Sequence, residues 1–296
     1  ADIPVKTKEG TDMASGDFII GSTAELVYES STPSFRVNFI KGATKSISGT
    51  SLLPDPITIA NNATDPARDI DFSVGNFQFD DGTGQAIATA LTKQLDATWV
   101  AGTDQGGLDT GSIATNTWYY CFAIYNPTTL TSDALFSTSY SSPTLPSGYT
   151  KKEYRGAILT DFSSNIRSFT QKGKFFYMES IDIGSVITTT RAAYNLTIPP
   201  IPVIAKIDLT GDVSSSPSGV GYAWFSSILE SDKAPTGASF NIKTSWGDQE
   251  ISESNYLEKY CNDSKIYARR DFTTQMTNTV FYSYTNGWED LNIIYK

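Results

Sequence analysis

Along this chain apolar residues recur at every second position, and the three-and-four spacing of an amphipathic helix is nearly absent. Runs of that kind, rich in β-branched and aromatic residues, predict strands at Glu25 to Tyr28, Ser34 to Ile40, Ile57 to Ile59, Ile70 to Val74, Trp118 to Tyr125 and Ala134 to Phe136. Further strands are expected at Arg155 to Leu159, Lys174 to Met178, Ile181 to Thr189, Val203 to Leu209, Gly221 to Phe225 and Phe240 to Lys243. The last are Lys265 to Arg269, Thr279 to Tyr284 and Glu289 to Tyr295. Turn chemistry punctuates them at Asp80 to Gly84, Gln105-Gly-Gly107, Pro146-Ser-Gly148, Thr210-Gly-Asp212, Pro217-Ser-Gly219, Pro235-Thr-Gly237 and Asn286-Gly287. One helical turn is expected, over Ala86 to Leu95. Short strands with regular turns point to an all-β sandwich or barrel.

The chain has 296 residues, no histidine and a net charge of -10. Without histidine it lacks the usual general base, the Ser-His-Asp and Cys-His arrangements and the commonest zinc ligand. Carboxylate chemistry of the glycosidase kind survives, with Glu153, Asp161, Asp208, Glu250 and Asp290 available, but nothing in their spacing pairs any two. The acidic balance argues against nucleic-acid binding, which needs clustered Lys and Arg. The basic pairs Lys151-Lys152 and Arg269-Arg270 read as solvated strand ends. No apolar run approaches the ~20 residues that span a bilayer, and no leader pattern is seen, so neither membrane insertion nor conventional secretion is expected.

Cys121 lies in an aromatic run, where a free thiol acts as a small hydrophobe, and Cys261 is 140 positions later. A disulfide between them, stapling the two halves together, is the less favoured reading. Asp69 and Asp71 flank Ile70 and fall on one strand face; Asp80-Asp81 and Asp104 with Asp109 sit at glycine-rich turns. Carboxylates so placed either ligate calcium or cap their own turns, and the capping reading is preferred, so no cofactor is expected. Among the aromatics, Trp246 beside Asp248 and Gln249, followed by Tyr256, is the most suggestive surface for a ligand such as a sugar. Trp99, Trp118 and Trp224 sit in apolar alternating runs and read as core.

The stretch Leu91 to Trp99, Ala101 to Gly111, Trp118 to Tyr125, Asp133 to Ser139 and Pro143 to Tyr149 resembles a module of tailed-bacteriophage tail-fibre and other virion-surface proteins. Asn195 to Pro200, Asp232 to Gly237, Ile266 to Arg269 and Asn286-Gly-Trp288 resemble its usual C-terminal companion. The resemblance implies two jelly-roll-like β-sandwiches behind an extended N-terminal arm, at residues 1–65, 66–179 and 180–296. It further implies a structural, non-enzymatic protein on the phage particle, assembled in the bacterial cytoplasm. The partners implied are other virion proteins, two further copies in a homotrimer, and a host-surface glycan or protein. Within that class a tail-fibre or receptor-binding role is preferred. A capsid decoration, head-fibre or neck protein is the alternative, and a polysaccharide depolymerase a more distant one.

Overall fold

The alternation of the sequence becomes pleated strands, and no helix occurs among the described residues. The computed structural model describes residues 5–6, 24–29, 34–39, 56–185, 187–213, 220–234, 242–245, 255–272 and 279–293. Contacts divide the chain into two units, Ala1–Leu52 and Leu53–Lys296. In the first, β2 (Ala24–Glu29) and β3 (Ser34–Phe39) pair antiparallel, and β1 (Val5–Lys6) joins β3 in parallel.

The second unit opens with a seven-stranded sheet. Its members are β4 (Ile59–Asn61), β5 (Asp69–Phe72), β8 (Leu91–Thr98), β9 (Gln105–Leu108), β10 (Trp118–Asn126), β11 (Thr131–Ser137) and β12 (Lys151–Leu159). They run in the order β12-β10-β11-β9-β8-β5-β4, with a separate hairpin of β6 (Gly75–Gln78) and β7 (Gln85–Ala88). The sheet curls until its edges β4 and β12 meet, and side chains close the gap. Ile59 N donates to Gln171 Oε1 at 2.7 Å, Gln171 Nε2 donates to the Arg155 carbonyl at 3.4 Å, and Arg155 Nε and Nη2 donate to the Ile57 carbonyl at 2.9 and 2.6 Å. Closure in this way shields strand edges that would otherwise invite pairing.

A five-stranded sheet follows, in the order β13-β14-β21-β16-β19, from β13 (Thr170–Lys172), β14 (Phe175–Ser185), β16 (Val203–Val213), β19 (Asn255–Cys261) and β21 (Thr279–Asp290). A four-stranded sheet has the order β15-β20-β17-β18, from β15 (Ala192–Asn195), β17 (Val220–Ser226), β18 (Ile242–Ser245) and β20 (Lys265–Phe272). Val203, Ala205, Ile207 and Leu209 on β16 are buried, as are Ala223 and Phe225 on β17 and Ile266 and Ala268 on β20. Each of these sheets thus turns one face to the core, as a sandwich requires. The fold is all-β, as the alternation predicts.

Within Leu53–Lys296 the two halves share buried contacts. Trp288 stacks on Phe176 with centroids 5.1 Å apart and meets Trp118 edge-on at 5.4 Å. Phe176 also lies against Gly156, where φ is +150° and an added Cβ would come 2.4 Å from the ring. The expected boundary near residue 180 falls within β14. Cys121 and Cys261 are both free, buried thiols, and burial raises the pKa of Cys261 to about 12.

Several local expectations are corrected. Ala86 to Leu95 is not helical: it spans β7 and β8, whose buried Leu91, Lys93 and Leu95 alternate with more exposed neighbours, because pairing with β5 and β9 overrides a weak local helix preference. Gln105-Gly-Gly107, Thr210-Gly-Asp212 and Asn286-Gly287 are not turns but interior positions of β9, β16 and β21. At Gly287 φ is +143° and an added Cβ would lie 1.9 Å from the Phe176 carbonyl oxygen, so the glycine admits a neighbouring backbone rather than reversing the chain. The separate strand expected from Glu289 is the end of β21.

Candidate functional site

Of the residues singled out for ligand contact, Trp246, Asp248 and Gln249 lie outside the described residues, and Tyr256 lies within them. Tyr256 is exposed on β19. Its hydroxyl donates to Glu258 Oε1 at 2.8 Å and accepts from Lys206 Nζ at 3.1 Å; Lys206 also pairs with Glu258 at 2.6 Å. Cross-strand pairing of Lys206 with Glu258 and of Asp208 with Tyr256 puts all four on one face of the five-stranded sheet. Asp208 accepts from Asn286 Nδ2 at 2.6 Å. The Tyr256 cluster is therefore an already paired, solvent-facing network.

Of the carboxylates considered for calcium, Asp71, Asp80, Asp81 and Asp109 are committed to the framework. Asp71 Oδ1 accepts from Asn62 Nδ2 at 2.8 Å and Thr92 Oγ1 at 2.7 Å. Asp80 and Asp81 pair with Lys152 and Lys151 at 2.5 Å each, clipping the β6–β7 hairpin to β12, so these lysines are clamps rather than free strand ends. The bond from Lys151, with help from Thr83, lowers Asp81 to about 2. Asp109 accepts from the backbone of Thr110 and Thr144, and Asp161 from that of Ser163 and Asn165. Among the described residues no three such groups come close enough to hold a metal ion. Asp69 is the outlier: burial first, then the carboxylates of Asp65, Asp96, Asp104 and Asp71, push it up to about 6.

The Leu91 to Tyr149 stretch is explained by a lock in the first sheet. Lys93 Nζ lies 3.2 Å from Asp133 Oδ1 with both side chains buried, and donates to the carbonyls of Val100 at 2.6 Å and Gly102 at 3.1 Å. Gly102 N donates to Asp133 Oδ2 at 2.8 Å, and Trp99 Nε1 to the Ala134 carbonyl at 3.0 Å. An added Cβ would approach the Thr98 carbonyl oxygen to 2.0 Å at Gly106 and the Phe136 ring to 2.7 Å at Gly107. The Pro146 to Tyr149 turn closes with Tyr149 N donating to Pro146 O at 3.0 Å, and Tyr149 meets Trp99 edge-on at 5.2 Å. The residues of the stretch thus hold one another.

A pocket of about 280 Å³ opens between the β6–β7 hairpin, β10, β12 and the loop after β11. Phe79, Phe122, Tyr140 and Tyr154 supply aromatic walls, and Asp80, Lys152, Glu153 and Asn292 supply polar groups. Glu153 is only 8% exposed. Its Oε2 lies 3.2 Å from Arg155 Nη1 and accepts from Gln78 N at 3.1 Å, while burial still holds the carboxyl above its ordinary pKa. Behind the wall Tyr154 donates to Asp290 at 2.6 Å, and Asn292 donates to Asp290 from its backbone and its side chain. Burial raises Asp290 against those bonds. A second concavity, near Trp118, the exposed Phe162 and Asn195, is larger and more polar at its rim.

Sequence reasoning misses the pocket because its walls come from positions as far apart as Phe79 and Asn292, brought together by sheet order. A signal was available only in part, since Glu153 and Asp290 stood among the unpaired carboxylates. Comparison of the chain with protein-family models, with curated proteins and with solved structures gives no match in any of the three.

Proposed function

We propose that this chain is a structural protein of a tailed-phage particle, a tail-fibre or receptor-binding component that binds a host surface as a homotrimer and does not act as a catalyst. One observation carries the reading. The stretch that resembles phage virion-surface modules is consumed in holding the first sheet together, through Lys93, Asp133, Trp99, Gly106, Gly107 and Tyr149. The pocket and the Tyr256 face are built from other residues. A scaffold that spends its signature on folding leaves its surfaces open to carry a binding role. Terminal strands such as β19 in the five-stranded sheet offer edges that a symmetric partner could cover.

The test is the place and copy number of the chain in particles of the phage that encodes it, by mass-resolved stoichiometry with imaging of labelled virions. A few copies projecting from the tail, in multiples of three, support the proposal. Many copies spread over the capsid lattice would replace it with a decoration role.

A further inference from the structure

We infer that the pocket between Phe79, Phe122 and Tyr140 is a binding site for a single neutral sugar ring, the terminal unit of a surface glycan. This deepens the attachment reading and rests on it for the source of the sugar. Three features support the inference. The first is size: about 280 Å³ lies near the lower end of small-ligand pockets and suits a ligand of one ring. The second is the wall chemistry. The apolar face of a sugar packs against aromatic rings, and Tyr140 supplies the part-exposed ring here, with the buried Phe122 and Tyr154 behind it.

The third is the state of the polar groups. Asp80 is paired with Lys152 at 2.5 Å, and Glu153 with Arg155 at 3.2 Å, so the charges at the pocket already cancel locally. A charged ligand would have to break one of those pairs, at the cost of stranding the other partner. Cations face a further obstacle, because Lys151 and Lys152 already sit over the Phe79 and Phe122 rings at 5.8 and 5.3 Å. Meanwhile no hydrogen bond within the described residues engages Glu153 Oε1, the Tyr140 hydroxyl or the Ser141 hydroxyl, and none of the three is a buried unpaired atom, so each faces solvent and can exchange water for a ligand. Ligand hydroxyls, which both donate and accept, satisfy such a set without disturbing either ion pair.

The experiment titrates the full chain with free glucose, galactose, mannose and N-acetylglucosamine, and with sialic acid and glucosamine as charged controls, by saturation-transfer NMR and calorimetry. At least one neutral sugar is expected to bind in the millimolar range. Tyr140→Phe, which removes one hydroxyl and leaves the ring packing against Tyr120 and Tyr154, is expected to weaken it about fivefold with the melting temperature unchanged. Glu153→Gln is expected to weaken it further, by about tenfold, with a melt run alongside to confirm folding. Tighter binding of either charged control, no binding of any neutral sugar, or binding unaffected by both substitutions in folded protein would overturn the inference. If no sugar binds while the chain still blocks phage adsorption, the pocket fails and the attachment reading stands. Sugar bound at the pocket by a chain found nowhere on the particle supports the pocket and overturns the attachment reading instead.

Discussion

Lys93 and Asp133 show how much a single pair of residues can hold. A lysine on a strand would ordinarily point to solvent, yet Lys93 shares the buried face of Leu91 and Leu95 and places its ammonium against two backbone carbonyls and one carboxylate. Burial lowers its pKa, and the Asp133 carboxylate works against that shift. Lys93→Met should strand Asp133 and cost about 3–5 kcal/mol in urea unfolding, whereas pairing it with Asp133→Leu should restore most of that loss. Asp69 behaves in the opposite sense. Its folded pKa of about 6 lies above the ordinary carboxyl value of 3.8, so the native state holds the proton more tightly and stability falls as pH rises from about 4 through 6. Asp69→Asn should therefore stabilise the protein at pH 7, by about 1 kcal/mol or less because solvent screens this partly exposed carboxyl, and should change nothing below pH 4. The alternation around Ile70 that put both aspartates on one face was legible in the sequence. The partnership of Lys93 with a residue 40 positions away was not, because only strand order brings the two together.

At the scale of single elements, β9 holds a glycine required by space and the β6–β7 hairpin one required by backbone angle. Gly106→Ala would drive a methyl group into the Thr98 carbonyl, which cannot move without breaking strand geometry. Gly82, in the hairpin turn, has φ of +69° and nothing within 4 Å of an added Cβ. Gly82→Ala should cost about 1 kcal/mol of backbone strain, and Gly106→Ala about 3 kcal/mol or more, as read from urea midpoints with the slope unchanged. These cases also explain why glycine pairs misled the sequence reading. A Gly-Gly or Asn-Gly pair signals a turn when the local chain reverses, but the same residues serve where a ring or a carbonyl crosses close to a strand. Nothing local distinguishes the two. By contrast, strands such as β10 and β17 were read directly from their residues, because periodicity and β-branched or aromatic content agree there.

On the scale of the whole molecule, the halves of Leu53–Lys296 are joined by the pairing of β14 with β21, by aromatic stacking and by a buried hydrogen bond from Tyr154 to Asp290. A shared core of this kind predicts a single calorimetric transition for that unit. Tyr154→Phe should lower its midpoint, at a cost of about 1–3 kcal/mol for the stranded Asp290, without splitting it in two. Two separate transitions in the wild type would instead make the halves independent modules. The all-β class was visible in the alternation, while the curled sheet closed by Gln171 and Arg155 was not, since those side chains act across strands distant in sequence. The candidate site was the least legible part, because its walls converge from five separate segments and its ligand-facing groups are ordinary residues individually. We propose that this chain attaches a phage particle to its host. The most direct test is to preincubate host cells with the purified chain and then count adsorbed phage. Dose-dependent loss of adsorption, with the labelled chain seen on the cells, is the predicted result; undiminished adsorption and no cell binding would contradict it.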